Sequence, residues 1–153
     1  MLPQFRTYIL VNNSGQTLTY DSGGRINVKE TAYYISPSTG LITYVPLDDD
    51  DLDFGAGESV ANGAEVIGDV EIVNTGNKYI GAQLQLEITH DAGAAADGTF
   101  DLYMDAGDAT GELANDATGY AGAEANVLQL IGSLVWESNG GNGEVMRSQI
   151  FEL

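Results

Sequence analysis

The sequence predicts an all-β protein, a single antiparallel β-sandwich of jelly-roll or Greek-key type spanning residues 1–153. Three observations carry that expectation. From Lys78 to His90, Ile80, Ala82, Leu84, Leu86 and Ile88 share one parity, and Tyr79, Gly81, Gln83, Gln85, Glu87 and Thr89 the other. That is the two-residue repeat of a half-buried strand, whereas a helix would scatter the five apolar side chains around its circumference. Short β-branched and aromatic runs also recur between clusters of Gly, Asn, Asp and Ser, at the spacing of strands and turns. Finally, no stretch carries the 3.6-residue apolar repeat of an amphipathic helix.

In chain order, Phe5 to Val11 reads as a strand that ends in the turn formers Asn12-Asn13-Ser14-Gly15. Gln16 to Tyr20 and Ile26 to Glu30 flank Asp21-Ser22-Gly23-Gly24, which predicts a hairpin. Thr31 to Ser36 and Leu41 to Val45 surround Pro37-Ser38-Thr39-Gly40, which predicts another. Leu47 to Phe54 holds four adjacent aspartates, whose mutual repulsion keeps it out of a core, so a loop or exposed turn is expected. Ala64 to Asn74 resumes alternation, with Val66, Val70 and Ile72 on one face, and Thr75-Gly76-Asn77 suggests that Glu65 to Ile88 is one hairpin.

Asp91 to Gly98 reads as a loop, and Thr99 to Asp105 as a strand with Phe100, Leu102 and Met104 inward. Gly107 to Asn126 lacks periodicity and is expected to be a long loop, with room for one helical turn near Gly122 to Ala125. Val127 to Glu137 and Glu144 to Leu153 are expected as a final hairpin. In the first of these, Leu128, Leu130, Leu134 and Trp136 share one face while Val127, Ile131 and Val135 make the other apolar too. Such a strand is buried on both sides or turns one side to a partner.

Composition narrows the function. Twenty-three acidic residues against five basic ones give a net charge of −18, and the bases Arg6, Arg25, Lys29, Lys78 and Arg147 are scattered singly. Neither nucleic acid nor an anionic membrane is an expected partner, because both require clustered Lys and Arg. The absence of cysteine excludes disulfides and thiolate catalysis. The first residues show no basic segment leading into a long apolar one, so a soluble protein made without an export signal is expected.

Catalysis finds little support. His90 is the sole histidine, and nothing around it resembles a nucleophile elbow, so it reads as a strand-end residue and no enzyme is expected. Acidic pairs suited to glycoside hydrolysis are uninformative in so acidic a chain. Calcium is the one cofactor worth weighing, since it takes several hard oxygen ligands. The densest groups are Asp48 to Asp51 with Asp53, and Asp105, Asp108 and Glu112, which makes Asp48, Asp50, Asp105 and Asp108 the metal candidates. Neither group has EF-hand spacing, and solvated acidic loops are the plainer reading. Tyr33, Tyr34, Tyr44, Tyr79, Tyr103 and Trp136 suit either a sugar-stacking platform or a subunit contact. Val127, Ile131, Val135, Tyr33 and Tyr103 are the interface candidates.

Several strings carry a family likeness: Asn12-Asn13-Ser14-Gly15 with Thr17-Leu18, then Thr89-His90-Asp91 running through Asp97-Gly98-Thr99-Phe100-Asp101-Leu102-Tyr103, then Ile131-Gly132-Ser133-Leu134 and the closing Ile150-Phe151-Glu152-Leu153. Together they resemble the small accessory virion proteins of tailed bacteriophages, the capsid decoration or cement class. Asp105-Ala106-Gly107-Asp108 departs from the family pattern, so no role is carried over to that loop. The resemblance implies a non-enzymatic β-sandwich, made in the host cytoplasm and placed on the virion. It would bind the major capsid protein or another virion protein and stabilise the assembled head, as a homo-oligomer, commonly a trimer. A tail- or fibre-associated sandwich and a carbohydrate-binding module are the alternatives.

The charge gives a first prediction. Repulsion among 23 carboxylates opposes the compact state and is screened by salt, so the melting temperature is expected to rise with ionic strength. Thermal unfolding followed by circular dichroism at low and high salt checks this; an unchanged midpoint would contradict it.

Overall fold

The computed structural model describes residues 2–3, 5–15, 17–19, 26–47, 53–54, 59–68, 72–74, 76, 78–90, 98–107, 129–135 and 144–153. The strands among them are β1 (Phe5–Asn13), β2 (Leu18–Thr19), β3 (Ile26–Ile35), β4 (Ile42–Pro46), β5 (Asp53–Phe54), β6 (Ser59–Val60), β7 (Glu65–Ile67), β8 (Ile72–Val73), β9 (Gly81–His90), β10 (Thr99–Gly107), β11 (Gln129–Val135), β12 (Glu144–Arg147) and β13 (Phe151–Glu152). No helix occurs among the described residues.

The strands form two antiparallel sheets packed face to face. In the first, which we call sheet I, β11, β10 and β1 lie side by side, with β7 and β8 together along the far edge of β1. In sheet II, β12 and β13 share one edge of β9, followed by β3, with β4 and β5 sharing its far edge. β2 pairs with β6 as a separate short ladder. Counting shared edges as one row gives eight rows, ordered seventh-sixth-first-fourth in sheet I and eighth-fifth-second-third in sheet II. Counting from the third row converts these to fifth-fourth-seventh-second and sixth-third-eighth-first. That is the order of a jelly roll, entered two strands earlier than usual. Leu2 and Leu153, on the first and last rows, accordingly meet in one small cluster with Ala32, Tyr79 and Ala82.

Alternation explains the core. Ala82, Leu84, Leu86 and Ile88 of β9 are fully buried, as are Ile26 and Val28 of β3 opposite them. From sheet I, Tyr8, Leu10, Phe100, Leu102 and Met104 meet them. Each large apolar side chain there contributes roughly 1.5–3 kcal/mol. The expected parity fails only at the entry to β9, where Tyr79 is buried and Ile80 half-buried. Asn74 sets that turn, its amide donating to the carbonyls of Leu2 and Tyr79 and its carbonyl accepting from the Tyr79 N–H at 2.8 Å.

Two contacts fix how the sheets stack. Arg6 and Tyr8 on β1 both reach Glu30 on β3, so the first row lies over the second. A Cβ on Gly132 of β11 would sit 2.2 Å from the Phe151 ring of β13, so the seventh row lies over the eighth. The third and fourth rows therefore form one flank of the sandwich, and the seventh and eighth form the opposite flank.

The hairpin around Pro37–Gly40 forms as expected, with Ile35 opposite Ile42 and Gly40 at φ +71°, a conformation glycine adopts without strain. Three other pairings differ. β2 pairs with β6, so Gln16–Tyr20 and Ile26–Glu30 make no hairpin. β7 and β8 join β1 in sheet I while β9 lies in sheet II, so Glu65–Ile88 crosses between sheets. β11 likewise belongs to sheet I and β12 to sheet II. Alternation shows that a segment is a strand and which side is apolar, but a turn-rich stretch can double back or cross the roughly 10 Å to the facing sheet. The expected long loop and helical turn over 107–126 lie, past Gly107, outside the described residues.

The two-faced apolar pattern at β11 has a local cause. Leu102 pairs with Gly132 and Tyr103 with Leu130, which leaves Ile131 as a β-bulge that reverses the facing of residues on either side. Leu134 is buried and Ile131 packs on the core, while Leu130 and Val135 are exposed.

The Arg6–Glu30 pair generates the second prediction. Both side chains are fully buried, so Arg6→Ala or Glu30→Ala strands a charge and is expected to cost about 3–5 kcal/mol. Replacing the whole cluster by Arg6→Met, Tyr8→Phe and Glu30→Leu should be neutral or stabilising by about 1–4 kcal/mol. Urea unfolding of the variants measures both.

Candidate functional site

The two outer faces of the sandwich differ in charge. On sheet I, the outward positions opposite Thr7, Ile9 and Val11 include Asp105, Tyr103, Asp101 and Glu65. Burial pushes the Glu65 carboxyl above its usual value. Asp101 accepts hydrogen bonds from Asn13 and Ser133. This face thus carries three carboxyl groups and no base among the described side chains.

The outer face of sheet II is balanced. Its described charges are Lys29, Glu87, Arg147 and Glu152, two of each sign. Glu87 accepts from Lys29 at 3.2 Å and from Arg147 at 2.6 Å. Burial alone would raise its pKa, but these two cations outweigh that and hold it below the usual value. Gln83 donates to Glu152 at 2.9 Å and Gln85 to the Ser148 carbonyl at 3.1 Å, so the polar groups of this face are tied to one another.

The same face runs out onto the β3–β4 hairpin, where residues 31–46 contain no charged side chain. Tyr33 and Tyr44 are opposite each other, ring centroids 5.6 Å apart and planes tilted by 53°, and Ile35 lies opposite Ile42. The Tyr33 ring lies across Gly81, where a Cβ would collide with it. β4 is the outermost described strand on this side. The Ser36 N–H donates to Leu41 and the Leu47 N–H to Glu30, so odd-numbered β4 residues bond to β3 and the backbone of Ile42 and Tyr44 points to the open edge. Pro46 ends that edge by offering no N–H.

Of the interface candidates, Tyr33 belongs to this face. Val135 is exposed on β11, Ile131 fills the bulge, Tyr103 is half-buried opposite Ile9 and Leu130, and Val127 lies outside the described residues. The tyrosines do not form one platform, since Tyr34 turns to Tyr79 at 6.3 Å and Tyr103 is on the other sheet. Asp105 is buried within β10, and Asp48, Asp50 and Asp108 lie outside the described residues. Among the described residues no group of three or more His, Asp or Glu side chains could hold a metal. His90 ends β9 opposite Glu144. The charge balance of sheet II escaped the sequence reading; its signal was the placement of Lys29 and Glu87 on outward parities of strands that prove adjacent.

Comparison of the chain with protein-family models, with curated proteins and with solved structures found no match.

The Glu87 cluster predicts a pH effect. A carboxylate with a depressed folded pKa stabilises the fold fully above the ordinary value near 4.5, and loses that contribution as pH falls through the depressed value. Glu87→Gln should therefore cost about 0.2–1 kcal/mol at neutral pH and nothing well below the depressed value. Urea midpoints of both proteins at the two pH values check this; a pH-independent difference would contradict it.

Proposed function

We propose that this chain is a non-enzymatic structural protein of a bacteriophage virion, a decoration or cement subunit that attaches to the assembled head. The observation that carries the reading is the charge asymmetry of the sandwich: a balanced, aromatic-bearing outer face on sheet II of a chain with a net charge of −18. A face without net charge can approach a protein lattice without bringing uncompensated carboxylates into a dry contact, where each would carry a large desolvation penalty. The carboxylates on the opposite face would keep decorated particles dispersed and repel nucleic acid. The sequence resemblance to accessory virion proteins supplies the specific setting, with the major capsid protein or another virion protein as partner.

A carbohydrate-binding module is the competing class, but the tilt of Tyr33 against Tyr44 leaves no flat shelf for a sugar ring. A tail or fibre address is separated from the head by where the protein sits. Co-sedimentation with purified heads, followed by electron microscopy, tests the reading. The protein is expected to pellet with heads and add density to the capsid surface. Thr31→Glu with Gln85→Glu, which places two carboxylates on the balanced face, should weaken binding by about tenfold or more. Selective glycan binding without head binding, or density on the tail alone, would overturn it.

A further inference from the structure

The exposed large apolar side chains are not spread over the molecule. Ile35, Leu41, Ile42, Tyr44 and Val73 lie on the flank formed by the third and fourth rows. Leu130, Val135, Val145 and Ile150 lie on the opposite flank, formed by the seventh and eighth rows. The central strands β1, β9 and β10 contribute none among the described residues. Several of these side chains are more than half exposed, Leu41 at 67% and Val135 at 58% among them. The two strongest segments are also the uncharged ones: residues 31–46 carry no ionisable acid or base, and neither does β11 from Gln129 to Val135.

We propose that copies of this chain join head to tail, the β3–β4 hairpin flank of one copy seated against the β11 flank of the next. Two bodies each carrying −18 repel, so copies can meet closely only where local charge is absent, and the two flanks are the apolar places that satisfy this. The flanks are different surfaces on opposite sides of the molecule. A two-fold contact of either flank with itself would leave the other uncovered, whereas a heterologous contact covers both with one repeated junction and closes into a ring when its rotation permits. The arrangement also leaves the outer face of sheet II free. This goes beyond attachment to a lattice and concerns only how copies meet one another.

Sedimentation velocity and light scattering of the full chain across protein and salt concentrations test it. The unaltered protein is expected to form oligomers that strengthen with salt, because screening removes the repulsion that opposes them. Ile42→Glu and Leu130→Glu should each reduce it to monomer. Mixed in equal amounts, the two variants retain one intact junction between them and should form a one-to-one dimer that grows no further. A monomeric parent at every condition overturns the proposal, and so does a Leu130→Glu variant that still self-associates or a mixture that stays monomeric. Leu41→Glu and Val135→Glu replace either variant that fails to fold by circular dichroism. Co-sedimentation of the monomeric variants with heads is a separate readout, so loss of self-association and loss of attachment are distinguished.

Discussion

The ion pair between Arg6 and Glu30 fixes how the two sheets of this sandwich meet. Arg6 projects inward from the central strand of one sheet, Glu30 from the facing strand of the other, and Tyr8 donates a second hydrogen bond to the same carboxylate at 2.7 Å. Removing these charges from water costs several kcal/mol per ion, and their mutual attraction recovers that only in this geometry. Burial alone would lower the Arg6 pKa, but Glu30 and Tyr8 outweigh it and hold the guanidinium charged; burial and the Glu30 charge push the Tyr8 hydroxyl well above its usual value. Arg6 Nε and Nη1 have no hydrogen-bond partner, so the cluster is incompletely satisfied. Its effect is therefore better understood as selection of a stacking than as net stability. A one-residue slip of β1 would turn Arg6 and Tyr8 to the outer face and leave Glu30 buried alone.

With that stacking set, the distribution of charge follows from strand parity. Glu30 occupies an inward position between Val28 and Ala32, while Lys29 falls outward beside Glu87 of β9. Arg147 on β12 reaches Glu87 from the other side. Two of the chain's five bases thus neutralise one carboxylate on sheet II, while the outer side of sheet I has no described base to offset Asp101, Asp105 and Glu65. The asymmetry arises from where single residues fall in the alternation, which is why a net charge alone does not reveal it.

The same reasoning shows what could be read in the sequence. The facing of Ala82, Leu84, Leu86 and Ile88, and of Phe100, Leu102 and Met104, was legible because burial on one side imposes a two-residue period. The β3–β4 hairpin was legible because Pro37 and Gly40 specify a turn locally. Arg6 and Glu30 gave a visible signal, each sitting on an apolar parity, but parity does not say that two such residues face each other. Partner choice was not legible. Leu130 and Val135 look alike with Ile131 and Leu134 until the bulge at Ile131 separates exposed from buried, and a bulge leaves no mark in the apolar pattern except its apparent doubling.

The edges of the sandwich also constrain what kind of contact they can make. An open strand edge invites further strands, and a chain with two open flanks risks indefinite growth. Here β4 exposes the backbone of only Ile42 and Tyr44 before Pro46 removes the next donor, and β11 is interrupted by its bulge. Neither edge offers a long, regular ladder to an incoming strand. What both offer is apolar side chains beside short stretches of free backbone, so association at these flanks must be driven by side-chain packing of limited area. Packing of that kind depends on shape, and shape permits one docking angle where a continuous hydrogen-bond ladder would permit many registers. A surface built this way favours assemblies of defined size, and the strong negative charge elsewhere discourages any other approach.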